Sequence, residues 1–296
     1  MKYNVNHIIE EKSFDIIGLS YIGKPRSNTA VFITKKVEHL ITALESVSEC
    51  LVFAETGIAV PEQVNQRHAF KFSDRPQLDY AHFAALFAKE REEEESKISY
   101  IHHPNGYLIS ESAEIGENAI IEPGCVIGHG VKIGRNAKIL YGAVICNAII
   151  GDDFFCNEYA VVGSQGFTMV KDENDNNLRI PTLGRVIIGN NVEVGAHNNI
   201  SCGSGNDTII EDHVKLDAMV HVAHDDHLHR NVEVAAGTIL GGFVEIGEKV
   251  FVGVNASVRN RINIGDEAYI GMGAAVMRTV GNGCKVAGNP AKTIPV

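Results

Sequence analysis

The chain has 296 residues, 45% of them hydrophobic, so it is long enough for one or two domains with their own cores and too apolar for a disordered polymer. A formal charge of −11 with no basic stripe argues against a nucleic-acid partner, and no apolar run approaches the roughly 20 residues of a membrane span. The opening MKYNVNHIIEEKSF lacks the basic and apolar regions of a secretion signal, and Cys50, Cys125, Cys146, Cys156, Cys202 and Cys284 show no CxxC pairing, which points to a reducing, cytoplasmic setting.

Residues 29–34 (TAVFIT) and 50–55 (CLVFAE) read as short buried strands, and KKVEHLITALES between them reads as an amphipathic helix carrying Val37, Leu40, Ile41 and Leu44. Residues 79–97 read as a helix capped by Asp79, with Tyr80, Phe83, Ala84 and Phe87 on one face and a solvated EREEEES end that links to the next domain. The expectation is a small α/β domain over residues 1–98.

From residue 99 to 296 the pattern changes to a branched aliphatic residue at every sixth position, Ile109, Ile115, Ile121, Ile127, Ile133, Ile139 and Ile145, with a one-residue slip around Ile149 and Ile150. The theme continues through Val162, Ile188, Val194 and Ile200, then becomes strict for 12 consecutive positions from Ile210 to Val276. A period of six fits neither a helix nor an alternating strand. It fits a hexapeptide β-helix, in which three units complete a coil, residues 18 apart stack, and the aliphatic residue points inward. The glycines that often follow the aliphatic position, such as Gly116, Gly195 and Gly247, are read as corners with unusual backbone angles. The repeat is scaffolding, so function is expected at its interruptions, near 164–185 and 201–208.

Four histidines crowd residues 220–230 (VHVAHDDHLHR). With Val222 and Leu228 inward, His221 and His227 lie one place before an aliphatic residue, His229 one place after and His224 two places after, so they are expected to point in different directions. Crowding in sequence does not supply the three converging nitrogens of a metal site, and no metal ligand is assigned; His221, His227 and His229 are read as surface or interface residues.

The strings VGSQGF (162–167), IPTLGRVIIGNNVEVGA (180–196), DTII (207–210) and VKLDAMVHVAHD (214–225), following an α/β domain, resemble the UDP-3-O-acylglucosamine N-acyltransferases of lipid A synthesis. The resemblance implies a left-handed β-helix and a homotrimer with active sites between solenoids. The implied reaction passes an acyl group from a phosphopantetheine thioester, on coenzyme A or acyl carrier protein, to the amine of a nucleotide-linked amino sugar. No bound cofactor is implied. It places the catalytic base at His224, in VAHD, with Asp217 of the same string as the residue that fixes its tautomer. Gln165 and Phe167 of VGSQGF become candidate substrate contacts, and Phe32 a residue that stacks on the base. Backbone amides near a corner glycine, for example Gly242, suit a thioester oxyanion.

Three departures qualify the resemblance. Arg261 stands where the family has a second active-site histidine, and is read as a charge or phosphate contact. Ser201 and Cys202 replace an acidic and basic pair, while Lys35 and Val37 stand where an asparagine and a tyrosine are expected. The GNPAK string at 288–292 resembles the close of coenzyme A-dependent hexapeptide acetyltransferases, which makes Asn289 and Lys292 candidate cofactor contacts. The reading is an N-acyltransferase in lipid A, O-antigen or other surface-glycan synthesis. The alternatives are a zinc enzyme like the γ-carbonic anhydrases and a trimeric nucleotide-sugar-binding scaffold without activity.

Overall fold

The computed structural model describes residues 2–293, which divide into two units. Of these, the first comprises residues up to 96, 167–183 and 204–206; the second comprises 97–166, 184–203 and those from 207 on. The middle of each interruption of the repeat is thus grouped with the first unit.

The first unit is built on a parallel sheet of four strands in chain order, Gly18–Leu19, Thr29–Ile33, Leu51–Glu55 and Ala69–Ser73. Alternation sorts their side chains between two cores: Ala30, Leu51, Phe53 and Ala69 pack with Tyr80, Phe83 and Phe87, whereas Val31, Ile33, Val52 and Ala54 pack with Ile41 and Leu44. The segment KKVEHLITALES is a 3-10 helix, Lys35–Ser46, interrupted at Val37. The longer helix runs Pro76–Glu95, three residues earlier than expected. Pro76 opens it, as proline suits a first turn whose N–H groups have no helical partner, and Asp79 lies in that turn instead of capping it. The antiparallel pair Met169–Lys171 and Asn177–Arg179 belongs to this unit too.

Among the described residues the second unit is a three-faced β-helix of two- to four-residue strands in sheets of ten, ten and eight, paired in parallel except for one antiparallel end strand in each sheet of ten. One rung runs Ile145, Val162, Ile200, Val222, Leu240, Val258 and Val276. The slip in the repeat is one shortened coil, in which Ile133 pairs with Ile150. The inward aliphatic residues from Ile121 to Val286 form one buried column with the alanines and valines that precede the strands. Truncating one of them to alanine is expected to cost about 2–5 kcal/mol.

The glycines after the inward residues have a different cause from the one expected. The left-handed backbone falls three places after the inward residue, at Asn118 (φ 59°), Asn136 (φ 60°) and Asn231 (φ 58°). Gly116, Gly195 and Gly247 have no positive φ; a Cβ there would lie 2.5 Å from the carbonyl carbon of Gly134, 2.4 Å from that of Asp217 and 2.4 Å from the Asp266 carboxylate. Glycine is required there because the next coil passes too close for any side chain.

Candidate active site

His224 sits at the corner that follows the strand His221–Val222. The corner residue after it, Asp225, has φ 61°, and the two residues stacked above it in the next coils, Phe243 and Arg261, have φ 62° and 60°. Aspartate tolerates this backbone, but a phenylalanine or arginine there costs about 1–2 kcal/mol. The coil tie is regular: Phe243 N–H donates to the His224 carbonyl at 3.1 Å and Arg261 N–H donates to the Gly242 carbonyl at 3.0 Å.

The imidazole is held on several sides. Its Nδ1 lies 2.8 Å from Asp225 Oδ2, both side chains being largely buried. Asp225 in turn donates its N–H to the Thr208 hydroxyl at 2.9 Å. With Nδ1–H donating to a carboxylate, the tautomer places the lone pair of the neutral ring on Nε2. Two glycine backbones flank the ring. A Cβ on Gly166 would lie 2.9 Å from His224 Cβ, and one on Gly242 would lie 2.9 Å from Nε2. The Phe243 ring meets it edge-on, centroids 5.3 Å apart, and the Arg261 guanidinium covers the Phe243 ring at 4.3 Å. Histidine, phenylalanine and arginine therefore stack on three successive coils.

Beneath this corner lies Asp226, fully buried, whose carboxylate accepts the Ala223 N–H at 3.0 Å and the Val244 N–H at 2.8 Å. Burial pushes its carboxyl pKa well above the ordinary range, against the pull of those two amides. It ties the loop of His224 to the next coil. His221, half-buried nearby, has its pKa lowered by burial, with a further contribution from His224.

The proposed orienter changes. Asp217 accepts the N–H of Ala218 at 2.7 Å and of Ala236 at 3.2 Å, and makes no hydrogen bond to His224. It follows the inward Leu216 on another face of the coil and caps corner amides, as Asp212 and Asp266 do for Asn190 and Glu248. Asp225, which the sequence analysis did not name, is the carboxylate that faces the imidazole. Gly166 and Phe243 were not named either, since only the coil stacking brings them to His224.

The other candidates scatter. Gln165 is exposed beside buried Gly166 in the solenoid, while Phe167 is 77% exposed in the first unit with the Arg179 guanidinium 5.5 Å from its ring. Phe32 is half-buried, packed on Tyr80 at 5.1 Å, and does not line the first unit's cavity of about 230 Å³ beside Arg26, Arg91 and Glu90 or its more open one of about 590 Å³ beside Asp15 and Glu49. Any base stacking on Phe32 would compete with Tyr80. Ser201 and Cys202 are buried. Asn289 and Lys292 lie in the closing hairpin of Lys285–Ala287 with Lys292–Thr293, three to four coils beyond His224, or roughly 14–19 Å at the strand spacing.

The expectation that the four histidines diverge also fails. His227 and His229 lie on the same outer surface, their rings stacked 4.0 Å apart at 30°. Glu211 and Glu245 flank them, with four nitrogen–oxygen contacts of 2.9–3.2 Å. Residues one place before and one after an inward position share an outer face, which the sequence reading overlooked. Burial alone would lower the His227 pKa, but the hydrogen bonds to Glu245 and Glu211 outweigh it and hold the ring above its ordinary value.

Residues 112–147 match the family of bacterial transferase hexapeptide repeats (six repeats). The chain is 38% identical over 147 residues to a UDP-3-O-acylglucosamine N-acyltransferase of Coxiella burnetii, covering 45% of this chain and 41% of the relative. It is 33% identical over 123 residues to a probable UDP-3-O-acylglucosamine N-acyltransferase 2, mitochondrial, of Arabidopsis thaliana, covering 42% and 40%. The structure matches the UDP-N-acetylglucosamine acyltransferase of Campylobacter jejuni with a TM-score of 0.59 at 28% identity, over 66% of this chain and 74% of that one. Over its repeat the chain is thus similar to hexapeptide-repeat acyltransferases. It spans about 40% of the length of the curated relatives it matches, so the family resemblance bears on the scaffold more than on any one substrate. Among the described residues of this hexapeptide protein, no helix is long and apolar enough to cross a membrane.

Proposed function

We propose that the protein is an N-acyltransferase that moves an acyl group from a phosphopantetheine thioester to the amine of a nucleotide-linked amino sugar. The observation that carries this reading is His224, its Nδ1 on Asp225 and its other edge against the Gly242 backbone. A base of defined tautomer at a corner of the coil is what aminolysis of a thioester needs. The amine nitrogen attacks the thioester carbonyl carbon, His224 Nε2 takes the proton it sheds, the C–N bond forms and the C–S bond breaks. The thiolate leaves with that proton.

In this reading Asp225 orients the base and the Gly242 region supplies main-chain dipoles to the oxyanion. Arg261, pinned over Phe243, contacts developing charge or a phosphate. Asn289 and Lys292, some coils away along the solenoid, contact the far end of an extended pantetheine arm. Phe32, Gln165 and Phe167 remain the candidate contacts to the nucleotide sugar. Left-handed winding and a homotrimer belong to the same proposal. The named relatives are acyltransferases of uridine-linked amino sugars, which supports that acceptor class; lipid A or surface-glycan synthesis as the setting rests on the resemblance of the sequence strings.

The test is release of free thiol by the purified chain from acetyl-coenzyme A, longer acyl-coenzyme A and hydroxyacyl carrier protein, each with uridine- and thymidine-linked amino sugars. Release with one donor–acceptor pair supports the reading. Silence with every pair, or turnover unchanged in His224→Ala, overturns it.

A further inference from the structure

Two histidines that this reaction does not use form a second constellation with Glu211 and Glu245. The parallel register explains how: Ile209 pairs with His227 and His227 with Glu245, while Glu211 and His229 continue the same strands beyond Ile210 and Leu228. The four side chains therefore occupy two adjacent columns over three successive coils. Nε2 of His227 and Nδ1 of His229 converge on Glu211 Oε1, at 2.9 and 3.1 Å. The opposite nitrogens, Nδ1 of His227 and Nε2 of His229, converge on Glu245 Oε1, at 3.2 and 2.9 Å.

We propose that this constellation binds a divalent metal ion of the zinc type, with His227 Nε2, His229 Nδ1 and the Glu211 carboxylate as ligands. The three ligand atoms lie within 4.8 Å of one another. A tetrahedral ion with bonds of about 2.0–2.1 Å needs donors about 3.3–3.4 Å apart, so the two measured separations need to open by only a few tenths of an ångström. Two imidazoles and a carboxylate suit zinc, cobalt or nickel; magnesium and calcium select oxygen shells.

Glu245 supplies the second argument. An imidazole that binds a metal through one nitrogen carries its proton on the other, where a carboxylate commonly holds it. Here a single carboxylate oxygen faces that second nitrogen on both rings. All four side chains are 19–34% exposed, which leaves an ion's fourth position open to water. Bridging Glu211 to the histidines of the next coil, the ion staples two turns of the solenoid, independent of acyl transfer at His224.

The full-length chain, stripped with EDTA and dialysed against zinc sulfate or magnesium sulfate, is assayed for bound metal, for affinity by calorimetry, and for unfolding temperature. One zinc per chain is expected, with a rise in unfolding temperature that magnesium does not reproduce. His229→Gln is expected to weaken zinc binding about 100-fold, and Glu245→Gln, which keeps the shape, about tenfold. Unfolding in EDTA shows whether each variant folds, and Glu245→Gln decides the matter if His229→Gln does not. Absence of stoichiometric zinc, or zinc bound equally by wild type and Glu245→Gln, overturns the proposal and leaves an ion-pair cluster.

Discussion

Two neighbouring histidine sites in this chain have opposite designs. At the corner, His224 meets a carboxylate on Nδ1, and its Nε2 edge faces a glycine backbone. On the flat face, His227 and His229 meet a carboxylate at all four ring nitrogens. The carboxylate beside the first ring fixes its tautomer, whereas the second pair of rings is braced between two carboxylates. Position in the hexapeptide decides which: a corner lets neighbouring coils bring glycine and aromatic residues to the ring, while a strand stacks columns of side chains from one coil onto the next.

The largest expected effect is at the corner. His224→Ala should lower thiol release about 10²- to 10⁴-fold with the unfolding midpoint little changed, as loss of a general base does. A residual rate near wild type would remove the distinction between the two sites. Asp225→Ala and Asp217→Ala then separate orientation from architecture. The first should lower kcat about 10- to 100-fold with little change in KM. The second should leave the rate largely intact and cost about 0.5–1.5 kcal/mol per amide hydrogen bond lost, visible in urea unfolding. The reverse outcome would restore Asp217 as the orienter.

Gly242→Ala probes the close approach. Its new Cβ would lie 2.8 Å from His224 Cε1, so the ring must shift, and turnover should fall about tenfold or more while the ladder beside it stays paired. Full activity in this variant would mean that the ring position is not critical.

The smallest effect extends the comparison to a third histidine site. His68 of the first unit is fully buried, accepting the Cys50 N–H at Nδ1 and facing the Leu44 carbonyl with Nε2, each at 3.1 Å, an arrangement that only the neutral ring satisfies. Burial lowers its pKa below 6.5. As pH falls below about 6.5 the unfolded chain takes up a proton that the folded chain refuses, so stability declines toward acid. Unfolding midpoints at pH 7.5 and 5.5 should show this decline, and His68→Asn should flatten it. An equal slope in the variant would place the acid sensitivity elsewhere.

The sequence by itself determined the solenoid, because a core one residue wide leaves a period of six that any reading detects. Through its resemblance to a known family it also pointed to His224, with Asp225 next to it in the chain. What only the tertiary structure decided is which groups meet across coils. Asp225, not Asp217, faces the imidazole, since the strand that carries Asp217 lies on another face of the coil. Gly166 reaches His224 from an earlier part of the solenoid, and Phe243 and Arg261 reach it from the coils that follow. Gly195 and its equivalents exist for a neighbour's backbone, not for their own torsion angles. His227 and His229 join Glu211 and Glu245 because parallel stacking aligns the side chains of successive coils. These are contacts between coils, and a repeat read along the chain carries their spacing without saying which side chains fill it.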